Sequence, residues 1–179
     1  MAESLKGKRV AALVTDGFEQ VELTGPKEAL EEKGATVHIV SAKNGEVTGW
    51  NHTTPASKFH VDKTFDTLRM EDYDAVLLPG GVVNSDIIRT DDMAQELVRD
   101  AARANKTIAV ICHGAWLLAS ADLVKGKRMT SWPSLTDDLK NAGANWVDEQ
   151  VVVDGHLISS RKPDDIPAFS DALIKALAV

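Results

Sequence analysis

The stretch Ile108-Ala109-Val110-Ile111-Cys112-His113-Gly114-Ala115 decides how this chain is read. Four apolar residues run straight into a cysteine. A histidine and a glycine follow, and then a small-residue helical pattern begins. A short, continuous apolar run, rather than an alternating one, is what a sheet covered on both faces demands of its inner strands. Thr107 to Cys112 is therefore expected to be a central strand, and Ala115 to Ala121 the helix that leaves it.

The same pattern recurs outward from that stretch. Arg9 to Thr15 and Ala75 to Leu78 are two more short apolar runs, and Thr36 to Ser41 is a fourth strand with clearer alternation. Helical patterns lie between them. Glu19 to Lys33 stops at Gly34, a residue suited to the left-handed turn that ends helices. Asp91 to Ala104 carries acids in its first turn and Arg99 and Arg103 near its end, matching the helix dipole. Ser134 to Asn141 and Asp164 to Leu177 are the last two. The middle stretch, Gly45 to Phe65, holds turn residues and short strand-like pieces. Val151-Val152-Val153-Asp154-Gly155-His156-Leu157-Ile158-Ser159 reads as a hairpin around Asp154-Gly155. Strand alternating with helix predicts an α/β fold, a doubly wound and mostly parallel sheet with helices on both faces. No repeat, linker or low-complexity tract divides the chain, so residues 1–179 are expected to form one domain.

Composition narrows the function classes. A chain of 179 residues with 44% hydrophobic and 26% charged residues has an ordinary globular balance. The formal net charge of -7 argues against nucleic acid as a main partner, because phosphate binding needs clustered Lys and Arg. The basic run Lys125 to Arg128 reads as a solvated turn. One cysteine excludes an internal disulfide and a multi-cysteine metal site, and it suits a reducing compartment. The apolar run Val10 to Val14 is strand-length, so neither a signal peptide nor a membrane span is expected there. His38, His52, His60 and His156 are scattered without metal-ligand spacing, and neither metal nor cofactor is expected. Trp50 and His52 fall in a loop that either borders the site or is simply exposed, the exposed loop being the favoured reading. Arg161 reads as a loop anchor through a salt bridge.

Three strand ends carry the chemistry. In open α/β sheets, sites gather at the carboxyl ends of strands. Cys112 stands at such an end, before a helix whose start is expected to favour thiolate over thiol. A lone cysteine in an apolar run is ordinarily an inert core residue. Against that, Cys112 closes the run instead of filling its middle, and His113 and Gly114 supply a proton-handling group and a sharp turn. The second end is Leu77-Leu78-Pro79-Gly80-Gly81, where paired glycines make a tight turn or expose amides to an oxyanion. The third is Thr15-Asp16-Gly17-Phe18-Glu19-Gln20-Val21-Glu22, whose acids either cap a helix or approach the thiol.

Taken together, these stretches resemble the PfpI-type intracellular protease superfamily, which includes the parkinsonism-associated deglycases and is related to class I glutamine amidotransferases. The resemblance rests on DGFEQVEL (Asp16 to Leu23), LLPGG (Leu77 to Gly81), ICHG (Ile111 to Gly114), NAGANWVDEQVVVDG (Asn141 to Gly155) and SSRKPDDIPAF (Ser159 to Phe169), nearly the whole length. It implies a flavodoxin-like sandwich with Cys112 as nucleophile on a strained turn. It further implies Glu19 as the buried acid touching the thiol and His113 as the histidine of the Cys-His pair. The Pro-Gly-Gly glycines, Gly80 and Gly81, and Gly114 fall in the oxyanion and substrate-binding region, with the amides of Gly81 and His113 as the oxyanion donors. Asp86 is the implied third member, reaching the histidine from a neighbouring subunit, after a loop one residue longer than usual. Where the family often has proline after ICHG, this chain has Ala115-Trp116, and Trp116 either lines the site or packs.

The function implied is a cysteine-dependent hydrolase of the general stress response, in the cytoplasm. Its expected partners are small carbonyl adducts of glyoxal or methylglyoxal (deglycase or glyoxalase chemistry) or peptides, and a second copy of itself, as a dimer or a hexamer. The competing expectation is an oxidative-stress sensor or protective chaperone that uses oxidation of Cys112 without turnover.

Overall fold

A computed structural model describes residues 4–178. Its strands in chain order are β1 (Arg9–Leu13), β2 (Phe18–Glu19), β3 (Thr36–Ser41), β4 (Glu46–Asn51), β5 (Thr54–His60), β6 (Lys63–Thr64), β7 (Ala75–Leu78), β8 (Thr107–Ile111), β9 (Arg128–Met129), β10 (Asn145–Trp146), β11 (Val151–Asp154) and β12 (Leu157–Ser160). The helices are α1 (Gln20–Glu32), α2 (Val82–Ile88), α3 (Asp92–Arg103), α4 (Ala115–Ser120), α5 (Thr136–Asn141) and α6 (Ile166–Leu177).

Seven strands form the main sheet in the order β11-β12-β8-β7-β1-β3-β6, and only the β11–β12 pair is antiparallel. The inner strands are sealed on both sides because successive residues feed two different cores. Ala11, Leu13, Val76, Leu78, Ile108 and Val110 meet Leu97, Val98 and Ala101 of α3 and Leu117 of α4. Their neighbours Val10, Ala12, Ala75, Leu77, Ala109 and Ile111 meet Leu23 and Leu30 of α1 and Phe169 and Leu173 of α6. Period-two alternation in β-strands thus explains why each short run is apolar throughout. This is the doubly wound, flavodoxin-like architecture that the sequence predicts.

The chain leaves β1 toward β3 on one side and later enters β7 on the other. The sheet therefore changes direction beside β1, and the crevice at the carboxyl ends of β1, β7 and β8 is its switch point. The loops that follow these strands carry Asp16–Glu19, Pro79–Gly81 and Cys112. The small β2-β4-β5 sheet, whose β4 and β5 come from the middle stretch and whose β2 comes from the loop after β1, stands over this end. Gly17 donates its amide to Thr48 O at 3.0 Å, and Asp16 Oδ1 accepts the Thr48 amide at 2.7 Å.

Two expectations need correction. The first strand ends at Leu13, two residues early, because Thr15 donates its amide to the side chain of Asn84 instead of a strand partner. A further helix, α2, follows Pro-Gly-Gly directly, where no helix was expected. Arg161 does anchor its loop, through Asp165 at 3.0 Å and Asp148 at 2.9 Å. Among the described residues, no helix is long and apolar enough to cross a membrane.

Candidate active site

Cys112 is held where few residues tolerate the backbone. Its φ is +64°, in the left-handed region that costs a side chain energy. The strand ends at Ile111, and the chain turns through a short 3₁₀ segment, Cys112–Gly114, into α4. The turn closes only because Gly114 has no side chain: a Cβ there would sit 2.6 Å from Leu78 O. The following helix has six residues and begins after that 3₁₀ turn. Its dipole is correspondingly small.

The direct influences on the sulfur come from nearer groups. Burial is the largest, and it pushes the Cys112 thiol up from its ordinary value. The Glu22 carboxyl adds to that when ionised, while the amides of His113 and Gly81 point at the sulfur and pull the other way. The expected thiolate favoured by a helix start is thus corrected. The resting sulfur is a buried thiol beside a base. Cys112 Sγ lies 3.3 Å from His113 Nδ1, and burial pushes His113 down to about 4. His113 is therefore neutral at neutral pH and able to accept the thiol proton. Its ring stacks on Trp132 at 5.7 Å and meets the edge of Trp116 at 5.3 Å.

The acid at the thiol is Glu22, not Glu19. Glu22 is fully buried, and burial pushes its carboxyl up to about 8. Oε1 accepts the Gly80 amide at 2.8 Å. Oε2 is sealed from solvent without a hydrogen-bond partner, and the carboxyl as a whole interacts with the Cys112 thiol. Near neutral pH the carboxyl is protonated and can donate to the sulfur. Glu19 lies one turn away at the start of α1. Both its oxygens accept the His52 amide, at 3.2 Å each, and His52 Nδ1 is 3.6 Å from Oε1.

Gly80 is the wedge between acid and thiol. A Cβ on it would stand 2.6 Å from Glu22 Oε1 and 2.8 Å from Cys112 Cβ. Its amide is taken by Glu22, and the Gly81 and His113 amides, expected from the sequence as the oxyanion donors, are directed at the sulfur. Gly81 has φ +88°, and a Cβ there would meet Gly17 O at 2.5 Å. Asn84, fully buried on α2, fixes this loop to β1. Its Oδ1 accepts the Thr15 amide at 2.7 Å and the Thr15 hydroxyl at 3.0 Å, and its Nδ2 donates to Pro79 O and Gly80 O at 3.2 and 3.0 Å.

These groups open on a cavity of about 200 Å³ lined by Cys112, His113, Glu19, His52 and Trp132, among others. His52 thus borders the site, the less favoured of the two sequence readings of its loop, and Trp132 was not singled out at all. Trp116 is not among the lining residues. Its indole donates to Asp138 Oδ2 at 3.1 Å, and Arg89 sits over its ring at 5.1 Å, so it packs behind His113. Asp86 is exposed on α2, and no hydrogen bond joins it to His113 among the described residues. No three His, Cys, Asp or Glu side chains among the described residues are grouped to hold a metal ion.

Fold and site define a flavodoxin-like α/β protein with a cysteine on a tight strand-to-helix turn. The chain belongs to the DJ-1/PfpI family, whose profile matches residues 8–176. It is 38% identical to the Thermococcus kodakarensis protein named Deglycase TK1284, over 94% of this chain and 99% of that protein. It is 41% identical to the putative cysteine protease YraA of Bacillus subtilis, over 91% and 94%. The crystal structure of Drosophila melanogaster DJ-1beta superposes with a TM-score of 0.87 at 27% identity, over 96% of this chain and 90% of that one. A two-domain protein of Anabaena variabilis, with DJ-1/ThiJ/PfpI-like and ferritin-like domains, gives 0.89 at 32% identity, over 95% of this chain and 48% of that one.

Proposed function

We propose that this protein is a cysteine-dependent hydrolase that removes glyoxal-type adducts from thiols and amines. The observation that carries the reading is the thiol of Cys112, at left-handed φ, with a base 3.3 Å away and two amides directed at it, facing a small cavity. The names of relatives, deglycase and putative cysteine protease, support the class.

In this reading the thiol gives its proton to His113 as the sulfur attacks the carbinol carbon of the adduct. The adduct oxygen lies against the Gly81 and His113 amides. The amine or thiol leaves. The carbon–sulfur bond then breaks as the carbinol oxygen loses its proton and becomes a carbonyl, the sulfur takes its proton back from His113, and the freed carbonyl takes up water as its hydrate. Glu22, protonated, steadies the sulfur as charge develops on it. A cavity of about 200 Å³ accommodates a small adduct more readily than a folded chain. The buried single thiol agrees with a reducing cytoplasm and a stress role. A homo-oligomer in which Asp86 of another copy reaches His113 completes the arrangement.

The test is turnover of N-acetylcysteine and N-acetyllysine adducts of methylglyoxal. Cys112→Ser abolishes it if the reading holds, and turnover that persists in that variant removes it. The buried Glu22 carboxyl, which interacts with the thiol and has Oε2 without a hydrogen-bond partner, favours a second reading, in which oxidation of Cys112 is the signal. In that case peroxide adds two oxygens selectively at Cys112 and a protective effect persists without turnover.

A further inference from the structure

The cavity has a second histidine on its wall that the mechanism above does not use. His52 sits at the tip of the β4–β5 hairpin with φ +58°, and it lines the same cavity as Cys112. Its backbone is fixed from below: the amide donates to both oxygens of Glu19, at 3.2 Å each. The imidazole Nδ1 stands 3.6 Å from Glu19 Oε1, an ion-pair separation for a protonated ring rather than a hydrogen bond. The hairpin itself is pinned again five residues on, in β5, where Gln20 Oε1 accepts the Ser57 amide at 2.9 Å and Gln20 Nε2 donates to Ser57 Oγ at 3.3 Å. Two adjacent residues at the start of α1 therefore hold the hairpin over the cavity, and the side chain presented at its tip is a proton carrier.

The two histidines differ in what they can do. His113 is buried between tryptophans, contacts the sulfur, and receives the thiol proton. His52 has 77% of its side chain exposed and can exchange protons with water. Removing an amine adduct needs a second proton transfer, to the departing nitrogen. We propose that His52, held by Glu19, is the catalytic residue that protonates the leaving group, and this rests on the hydrolase reading above. As the Cys112 sulfur bonds to the carbinol carbon, the carbon–nitrogen bond breaks and its electron pair stays on nitrogen. Nitrogen takes a proton from the His52 imidazolium, and the neutral ring recovers its proton from solvent. Glu19, expected at the thiol, acts instead as the positioning residue for this histidine.

An amine is a poor leaving group without a proton, whereas a thiol leaves readily as its anion. The two classes of adduct therefore separate the role. His52→Asn removes the imidazole, while asparagine tolerates the left-handed backbone and keeps the amide bond to Glu19. The proposal expects a loss of about a hundredfold in kcat on the N-acetyllysine adduct of methylglyoxal, within the usual range for a general acid. On the N-acetylcysteine adduct it expects a loss of about threefold or less. Glu19→Gln gives a smaller loss with the same selectivity. Alkylation of Cys112 by iodoacetamide should proceed at the wild-type rate in His52→Asn, showing that the sulfur site is intact. Equal losses on both adducts, or none on either, overturn the role of His52. Wild-type protein that turns over neither adduct overturns the hydrolase reading itself.

Discussion

The carboxyl of Glu22 and the amide of Gly80 are joined at 2.8 Å, and that single bond decides which acid meets the thiol. It draws the first helix against the Pro-Gly-Gly turn and holds the Glu22 carboxyl where it interacts with the Cys112 thiol. Glu19, three residues earlier, is turned toward the hairpin by the same geometry.

Replacing Glu22 separates its two tasks. Glu22→Gln keeps an oxygen for the Gly80 amide and an N–H for the sulfur, and is expected to retain turnover within about tenfold, a loss of roughly 1.4 kcal/mol at the transition state. Glu22→Ala leaves a buried amide unsatisfied, at a cost of about 1–3 kcal/mol in stability, and should lose most turnover. Urea unfolding and steady-state rates on the two variants check this.

Gly80→Ala tests the wedge. The new Cβ would overlap Glu22 Oε1, Cys112 Cβ and Ile111 O, the last at 2.9 Å. Overpacking of this kind costs about 1–3 kcal/mol, and here it also displaces the sulfur. Turnover should fall by more than the stability loss explains, measured on protein shown by circular dichroism to be folded.

Stability should depend on pH through Glu22 in a defined window. Its folded value of about 8 lies above the ordinary 4.5, so its contribution is complete below 4.5 and is lost as pH rises through about 8. His113 runs the other way: with a folded value of about 4 against 6.5, its contribution is complete above 6.5 and is lost as pH falls through about 4. The two oppose each other between 4.5 and 6.5. From pH 6.5 to 8 the Glu22 effect stands alone of the pair, with a slope on the order of 1 kcal/mol per pH unit. Urea midpoints should fall across that window in the wild type and stay nearly level in Glu22→Gln.

Asn84 should matter although it touches no substrate. Asn84→Asp keeps the acceptor for Thr15 but sets a carboxylate oxygen against the carbonyls of Pro79 and Gly80. Losing two buried donor bonds and adding that repulsion should cost roughly 2–4 kcal/mol. Thermal unfolding would show it, and the Gly81 amide would drift from the sulfur, lowering kcat more than KM.

The core of the fold was legible because its physics is local. Ala75–Leu78 and Thr36–Ser41 coincide with the observed strands, since a doubly covered strand leaves an apolar run that nothing else in a short loop imitates. The helix after Pro-Gly-Gly was not, because its pattern is inverted. Val82, Val83 and Ile87 face outward while Asn84 and Ser85 are buried. The burial of Asn84 serves the Pro-Gly-Gly turn beside it and the Thr15 loop, which lies 69 residues away in sequence. Glu22 could have been found. It falls on the buried stripe of its helix with Leu23, Pro26 and Leu30, while Glu19 stands before the first turn. The protonation state of Cys112 was illegible, because it depends on how deeply the turn is covered and on amides contributed by Gly81 and His113.

The most direct measurement follows alkylation and turnover on the same sample. Iodoacetamide is added in limited amounts, the fraction of Cys112 carrying the label is read by intact mass, and the remaining deglycation rate is recorded. The account predicts that rate falls in direct proportion to label and reaches zero when Cys112 is fully blocked. A fully labelled protein that still clears the adduct would contradict it.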